Sequence, residues 1–336
     1  MSQKQRTLKE FVAELKALTD GMMTVEPKEI ADLRLGEMEI PAGSYGQYFG
    51  TWDIAHGMLR DYSMYTLYPL VVLAEDPEFQ PRQMSKIVDA LDQAYSNYLR
   101  YSGFPKMGAL ALELRAHLKD NPSREEVVTA LRAFTEYTNK LQAWSFHYFP
   151  WGLGKYFQYP AERLQAAPPP VADLGATRAH IRSGQRIRIT WKPLNITVNA
   201  TLATKENPEL CADLVAALPF TTIQDHAVVT GESMYAWSPF VSTAPIRLRE
   251  RICDAPIGRI RFSQSTGQKF IVQYGPTTED LSQPVLGEID EADAAKLAEV
   301  GKAVWESTFE SKDLIWMTVE LAKVQRPNTA RHDATH

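Results

Sequence analysis

The chain has 336 residues, 36 basic against 41 acidic side chains and a net charge of −5. That length is about twice a typical domain and predicts two cores. The near balance of charge, with no basic run beyond the scattered Arg247, Arg249 and Arg251, argues against a nucleic-acid binder. Two isolated cysteines, Cys211 and Cys253, make neither a disulfide framework nor a zinc site.

The first residues, Met1 to Arg6, lack the apolar core of a signal peptide, and the longest apolar run, Leu67 to Ala74, is too short to span a bilayer. The expectation is a soluble, cytoplasmic protein with no membrane partner. Residues Thr7 to Leu18 read as an amphipathic helix with Leu8, Phe11, Val12, Leu15 and Leu18 on one face. Pro41 to Ser44 breaks the chain. A helical pattern then runs from Tyr45 to about Glu75, with Pro69 marking a kink or boundary. Further helices are predicted over Pro81–Tyr101, Gly108–Lys119 and Ser123–Tyr148, the last started by Ser123 as cap with Glu125 and Glu126 in its first turn.

Residues 166–180, with Pro168-Pro169-Pro170, read as a stiff linker between a helical domain (1–165) and a second domain (181–325). A disordered tail (326–336) follows. Strands are predicted at Arg186–Trp191, Ile196–Leu202, Val228–Trp237, Ile257–Ser263, Lys269–Tyr274 and Leu314–Leu321, with helices at Pro208–Leu218 and Ala292–Trp305. The fold class is therefore α+β: an N-terminal all-α bundle followed by a small closed β-barrel.

Four pieces of the second half carry a resemblance: Leu218-Pro219-Phe220, Gly231-Glu232-Ser233-Met234-Tyr235, Ile257-Gly258 and Gln273-Tyr274-Gly275-Pro276. In this order they resemble the cyclophilin-like barrels of small bacterial proteins. The catalytic pattern of cyclophilin itself is not visible, so prolyl isomerisation is not implied. Paired with a Tyr-rich bundle, the barrel resembles the cucumopine/mikimopine (opine) synthase group. In that group the bundle follows the barrel; here it precedes it. The resemblance implies a cofactor-independent, Pictet–Spengler-type condensation of an amino acid such as histidine with a 2-oxo acid. Other readings are a hydrolase or lyase acting on a small cyclic amide, and a non-enzymatic ligand-binding or assembly module.

The candidate site residues follow from chemistry. His226 and Glu232 flank a strand start and could serve as acid and base. Glu232 is the preferred base, because a carboxylate entering an aromatic strand is costly to bury without a partner. Tyr235, Trp237 and Tyr274 are candidate substrate walls, and Tyr274-Gly275-Pro276 should end a strand in a turn. Strict alternation puts Glu232 on the face opposite Tyr235, so only a bulge or a rim position would unite them. Arg247, Arg249 and Arg251 share a face and suit either carboxylate binding or, preferably, a charged edge strand. In the helical half, Tyr48, Trp52 and His56 share a face with Tyr45 and form a possible lid. Twelve of the 14 tyrosines precede residue 160, a bias that suits a polar cavity, a wet cleft or an oligomer interface. The aromatic stretch Trp144 to Gly152 should line the domain junction; His147 within it reads first as structural. No nucleotide loop, metal motif or hydrolase elbow is present. The pattern implies no metal, no cofactor, a small-molecule substrate and a homo-oligomer, dimer or tetramer.

Overall fold

The computed structural model describes residues 6–39, 52–152 and 180–322. Tyr45, Tyr48, the Pro-rich linker and the tail lie outside the described residues.

The helical half contains α1 (Leu8–Gly21), α2 (Lys28–Leu35), α3 (Trp52–Tyr62), α4 (Tyr68–Glu75), α5 (Pro81–Tyr101), α6 (Pro105–Lys119) and α7 (Arg124–Tyr148). Reciprocal capping boxes, Thr7 with Glu10 and Ser123 with Glu126, start α1 and α7 and satisfy backbone N–H groups that have no partner within the helix. Pro69 has no N–H to continue the α3 ladder. The chain responds with a π-helical turn over Ser63–Leu67 before α4 begins.

Two buried tyrosines of the bundle have a structural role. Tyr62 is fully buried and its hydroxyl donates to the buried carboxylate of Asp92; Tyr95 stacks on it at 5.7 Å. Burial pushes the Asp92 carboxyl up to about 6, against the pull of that hydroxyl. Glu29 is likewise buried, which pushes it up to about 7, while it accepts from the N–H groups of Lys106 and Met107 at the start of α6 and bonds the Tyr137 side chain. Tyrosine is used here to satisfy carboxylates inside the bundle, where phenylalanine would leave them unpaired.

The second half is one antiparallel sheet in the order β3-β10-β1-β2-β9-β7-β8-β5-β4, with β6 (Arg249–Arg251) attached at β9. Its strands are β1 (Arg186–Trp191), β2 (Ile196–Leu202), β3 (Phe220–Ile223), β4 (Asp225–His226), β5 (Gly231–Trp237), β7 (Arg259–Ser263), β8 (Lys269–Thr277), β9 (Ser282–Ile289) and β10 (Trp316–Leu321). The two ends of the sheet, β3 and β4, are separated only by Gln224, so the sheet comes round on itself as a nearly closed barrel. Its interior is filled by Ile187, Ile189, Val198, Met234, Ala236, Phe262, Phe270, Val272, Met317 and Val319, with α8 (Pro208–Ala217) and α10 (Leu297–Glu306) packed against the same core; the short α9 (Glu291–Ala294) precedes α10.

Two expectations change. β8 runs through Tyr274-Gly275-Pro276 to Thr277 instead of turning there, because Gly275 leaves room for the Glu232 side chain and Thr277 pairs with Gly231. β3, β4, β9 and α2 were not anticipated. The preferred reading of the three arginines as a charged edge strand holds for β6, where Arg251 pairs with Asp254 and Asp280, while Arg247 pairs with Glu209.

Gly301 is set by close approach. A Cβ on Gly301 of α10 would lie 2.5 Å from the Tyr274 ring. Gly301→Ala should therefore displace α10 or Tyr274 and cost about 1–3 kcal/mol. Urea denaturation monitored by circular dichroism would register this as a lower midpoint; an unchanged midpoint would refute the packing argument.

The two halves are joined through α7. Lys140, fully buried, donates to Thr222 Oγ1 at 2.9 Å and to the Trp237 carbonyl at 3.1 Å. Arg132 donates to the Val241 carbonyl at 2.6 Å and to Thr243 Oγ1 at 2.7 Å. Lys312 donates to the His147 and Phe149 carbonyls at 2.9 and 2.8 Å, which neutralises the negative end of α7. Among the described residues no helix is long and apolar enough to cross a membrane.

Candidate functional site at the domain junction

Alternation along β5 decides the geometry. Met234 and Ala236 enter the barrel core, so Tyr235 and Trp237 point outward, toward the bundle. There Phe146 of α7 packs on Trp237 at 5.2 Å and on Tyr235 at 6.3 Å, and Trp151 packs on Phe146 at 4.8 Å. These rings bound a cavity of about 300 Å³, closed further by His56, Arg60, Ser63, Met64 and Gln142 from the bundle and by Val228, Val229, Thr266, Gly267 and Lys269 from the barrel. The π-helical turn supplies Ser63 and Met64. The volume suits a small metabolite, and the lining is mostly apolar with few polar groups, the usual make-up of a ligand site.

Lys269 is the group of chemical interest. It opens β8 directly opposite Trp237, and its Nζ stands 4.5 Å from the centre of the Tyr235 ring and 5.3 Å from that of Trp237. Burial among these rings, helped by Arg60, pushes its ammonium down to about 8, although Glu279 pulls the other way. Glu279 reaches this wall through Thr230, whose hydroxyl donates to it at 2.8 Å and lies 2.7 Å from the Tyr235 hydroxyl.

His56 is the second polar contributor. Its Nδ1 lies 2.9 Å from Ser145 Oγ and its Nε2 lies 3.4 Å from the Gln142 amide. Burial, with Arg60 nearby, pushes it down to about 3, so the imidazole is neutral. A neutral ring receiving the Gln142 N–H at Nε2 donates from Nδ1 to Ser145.

The sequence-predicted residues fall into two groups on opposite faces of β5. Tyr235, Trp237 and His56 meet in the cavity. Glu232, His226 and Tyr274 meet on the other side, beneath α10. His226 Nδ1 donates to the Ala227 carbonyl at 2.7 Å, so its Nε2 accepts from the Tyr274 hydroxyl at 2.8 Å. Burial lowers His226 and, together with the charge of Glu232, pushes Tyr274 up to about 12. Glu232 itself is exposed and lies over Gly275, in a shallow groove with Tyr274, Lys302, Trp305 and Glu306. β5 does carry a bulge, between Gly231 and Ser233, but it does not bring Glu232 round to Tyr235. Trp52 packs on the bundle core, away from the cavity, and Tyr48 lies outside the described residues.

Lys269, Arg60 and Gln142 carry no signal in the sequence. Only Phe146 and Trp151 carried a signal, as members of the aromatic stretch expected at the junction. His147 does not line the cavity. It is fully buried, its Nδ1 2.8 Å from Asp225 Oδ1 and its Nε2 3.0 Å from the Lys312 carbonyl. Among the described residues no three His, Cys, Asp or Glu side chains cluster so as to hold a metal ion.

A helical bundle thus docks on a nearly closed barrel, with a small, mostly apolar cavity between them. Residues 8–148 match the family model of the cucumopine synthase C-terminal helical bundle domain, and the chain is cucumopine synthase-like in that part. No curated protein matches the chain by sequence. Among solved structures it is similar to McbB in complex with tryptophan, 32% identical over 44% of this chain and 50% of that one, with a TM-score of 0.38. It thus spans half the length of McbB. It is also similar to the hypothetical protein AF2241 from Archaeoglobus fulgidus, 14% identical over 44% of this chain and 99% of that one, with a TM-score of 0.31.

Proposed function

We propose that the protein is an opine-synthase-like condensing enzyme of the Pictet–Spengler type. In this reading it joins an amino acid to a 2-oxo acid in the junction cavity without a cofactor. The observation that carries the reading is Lys269, a titratable amine set among aromatic rings in the junction cavity. The family of the helical half supports the reaction class.

The chemistry makes specific demands. A carbinolamine must lose water to give an imine, and a ring carbon must then lose a proton after attacking it. Both steps need a group that exchanges protons near neutral pH. Lys269 is that group. His56 stays neutral and holds a hydrogen-bonding position. Tyr235, Trp237, Phe146 and Trp151 stack the substrate ring. Arg60 and Lys269 place positive charge where substrate carboxylates would sit.

The test is incubation of the protein with amino acids and 2-oxo acids in pairs, with product detection by mass spectrometry. A product whose mass is the sum of the two substrates less one water supports the reading; no such product from any pair overturns it. The groove beneath α10 offers a second reading, favoured by the hydrogen-bonded His226–Tyr274 pair beside Glu232. Glu232→Gln separates the two. Near-normal turnover is expected if the junction cavity is the site. A fall in kcat of roughly 10²–10⁴-fold with the fold retained would move the chemistry to Glu232.

A further inference from the structure

Lys269 has a feature that proton transfer alone does not require. Of the two cations lining the cavity, Arg60 is paired with Asp61 at 2.7 Å, whereas the Lys269 amine has no hydrogen-bond or ion-pair partner among the described residues. It is half-buried, and the rings of Tyr235 and Trp237 hold it from one side. Its mounting is rigid. It is paired across the sheet with both Trp237 and Ser263, and Gly267, at φ +102° in the preceding turn, lies within 3.5 Å of Lys269 Cε and Trp237 Nε1 in the sense that a Cβ there would touch both. A lysine meant only to hold a carboxylate needs no such seat against two aromatic rings.

We infer that the Lys269 amine forms a covalent imine with the carbonyl substrate in the junction cavity, a 2-oxo acid in the reading proposed above, on which this inference rests. The depressed ammonium supports it, since about half the side chain is free amine near pH 8. In the step itself the Nζ lone pair attacks the carbonyl carbon and a C–N bond forms. The carbonyl oxygen leaves as water after taking up two protons, one from the amine and one from solvent, leaving a protonated imine. The amine of the amino acid then attacks that carbon. Lysine departs as the free amine, and the substrate imine is formed without either component having to condense in bulk water. No electrons are gained or lost, so no redox partner is needed.

The experiment is reductive trapping. The full-length protein is incubated with 2-oxoglutarate, then with pyruvate, and treated with sodium borohydride, which supplies the hydride that fixes the imine as a secondary amine. Intact-mass measurement and peptide mapping follow. The expected result is one adduct per chain at Lys269, with a mass gain equal to the oxo acid less one oxygen atom. Prior addition of a large excess of an unreactive dicarboxylate should suppress it, and it should be absent in Lys269→Met. No adduct, or labelling spread over surface lysines and unchanged by Lys269→Met, would overturn the inference. Mapping in the wild-type protein keeps the test valid even if the variant folds poorly. The two proposals fail separately. Condensation product without a trapped adduct sinks the imine and leaves the condensing enzyme standing. A trapped adduct without product from any amino acid sinks the condensing enzyme alone.

Discussion

Replacing Lys269 by arginine is expected to lower kcat/KM for the condensation by about 10²–10⁴-fold while leaving the fold intact, because the positive charge is kept and the exchangeable proton near neutrality is lost. The pH profile is the sharper readout. With its ammonium pushed down to about 8 by burial, Lys269 is mostly charged below that pH and mostly free amine above it. Wild-type kcat/KM should therefore rise as pH increases through about 8, and the Lys269→Arg profile should be flat there. Of the other groups facing the amine, His56, at about 3, and Tyr235, pushed up to about 12 by burial, do not change charge in that window. A wild-type profile that falls through the same range, or one that Lys269→Arg leaves unaltered, would remove Lys269 from the chemistry.

The second large effect concerns the joint between the halves. The two ring nitrogens of His147 face a carboxylate oxygen and a backbone carbonyl, both acceptors, so the ring carries both protons and the pair with Asp225 is ionic. Burial alone would lower His147, yet Asp225 and the Lys312 carbonyl raise it above its ordinary value. Asp225→Asn removes the counter-charge from a fully buried imidazolium, and the expected cost is about 3–5 kcal/mol in chemical denaturation. The sign with pH follows from the raised value. The folded state binds the proton more tightly than the unfolded chain. The pair's contribution is thus complete below the unfolded pKa, about 6.5, and is lost as pH rises through the higher folded value. Wild-type stability should decline over that interval more steeply than the variant's. Equal slopes would mean that the imidazolium is not what holds the joint.

Much of the architecture was legible in the sequence because its signals are local. The boundaries of α5, β1 and β2 fall where apolar periodicity and Gly or Pro punctuation put them, and Ser123 caps α7 through its own three-residue reach. β9 was invisible because Pro284 and Gly287 lie inside it and both disfavour strands. The fold uses Gly287 for close approach: a Cβ there would lie 2.5 Å from the Thr201 carbonyl. α2 is only 8 residues long, too short for a periodicity to declare itself. The cavity was half legible. Alternation along β5 correctly predicted that Tyr235 and Trp237 share a face that Glu232 does not. Lys269 gave no signal, since its character comes from rings and helices distant in sequence. The same holds for the tyrosine–carboxylate pairs: Tyr62 and Asp92 are 30 residues apart, and nothing in either neighbourhood announces the other.

The docking of α7 against β5 has a consequence for ancestry. Phe146 and Gln142 approach from one half and Tyr235, Trp237 and Lys269 from the other, so the pocket exists wherever the two surfaces meet, whichever is translated first. Bundle and barrel can therefore trade places along a gene without dismantling what lies between them. What cannot drift independently is the matched set that brings the surfaces together: Lys140 with Thr222, His147 with Asp225, and Lys312 with the end of α7. A lineage that rearranged its two parts would be free in connectivity and constrained at those positions. A working chimera between such relatives should be cut at the chain connection and should inherit both sides of that joint from one parent.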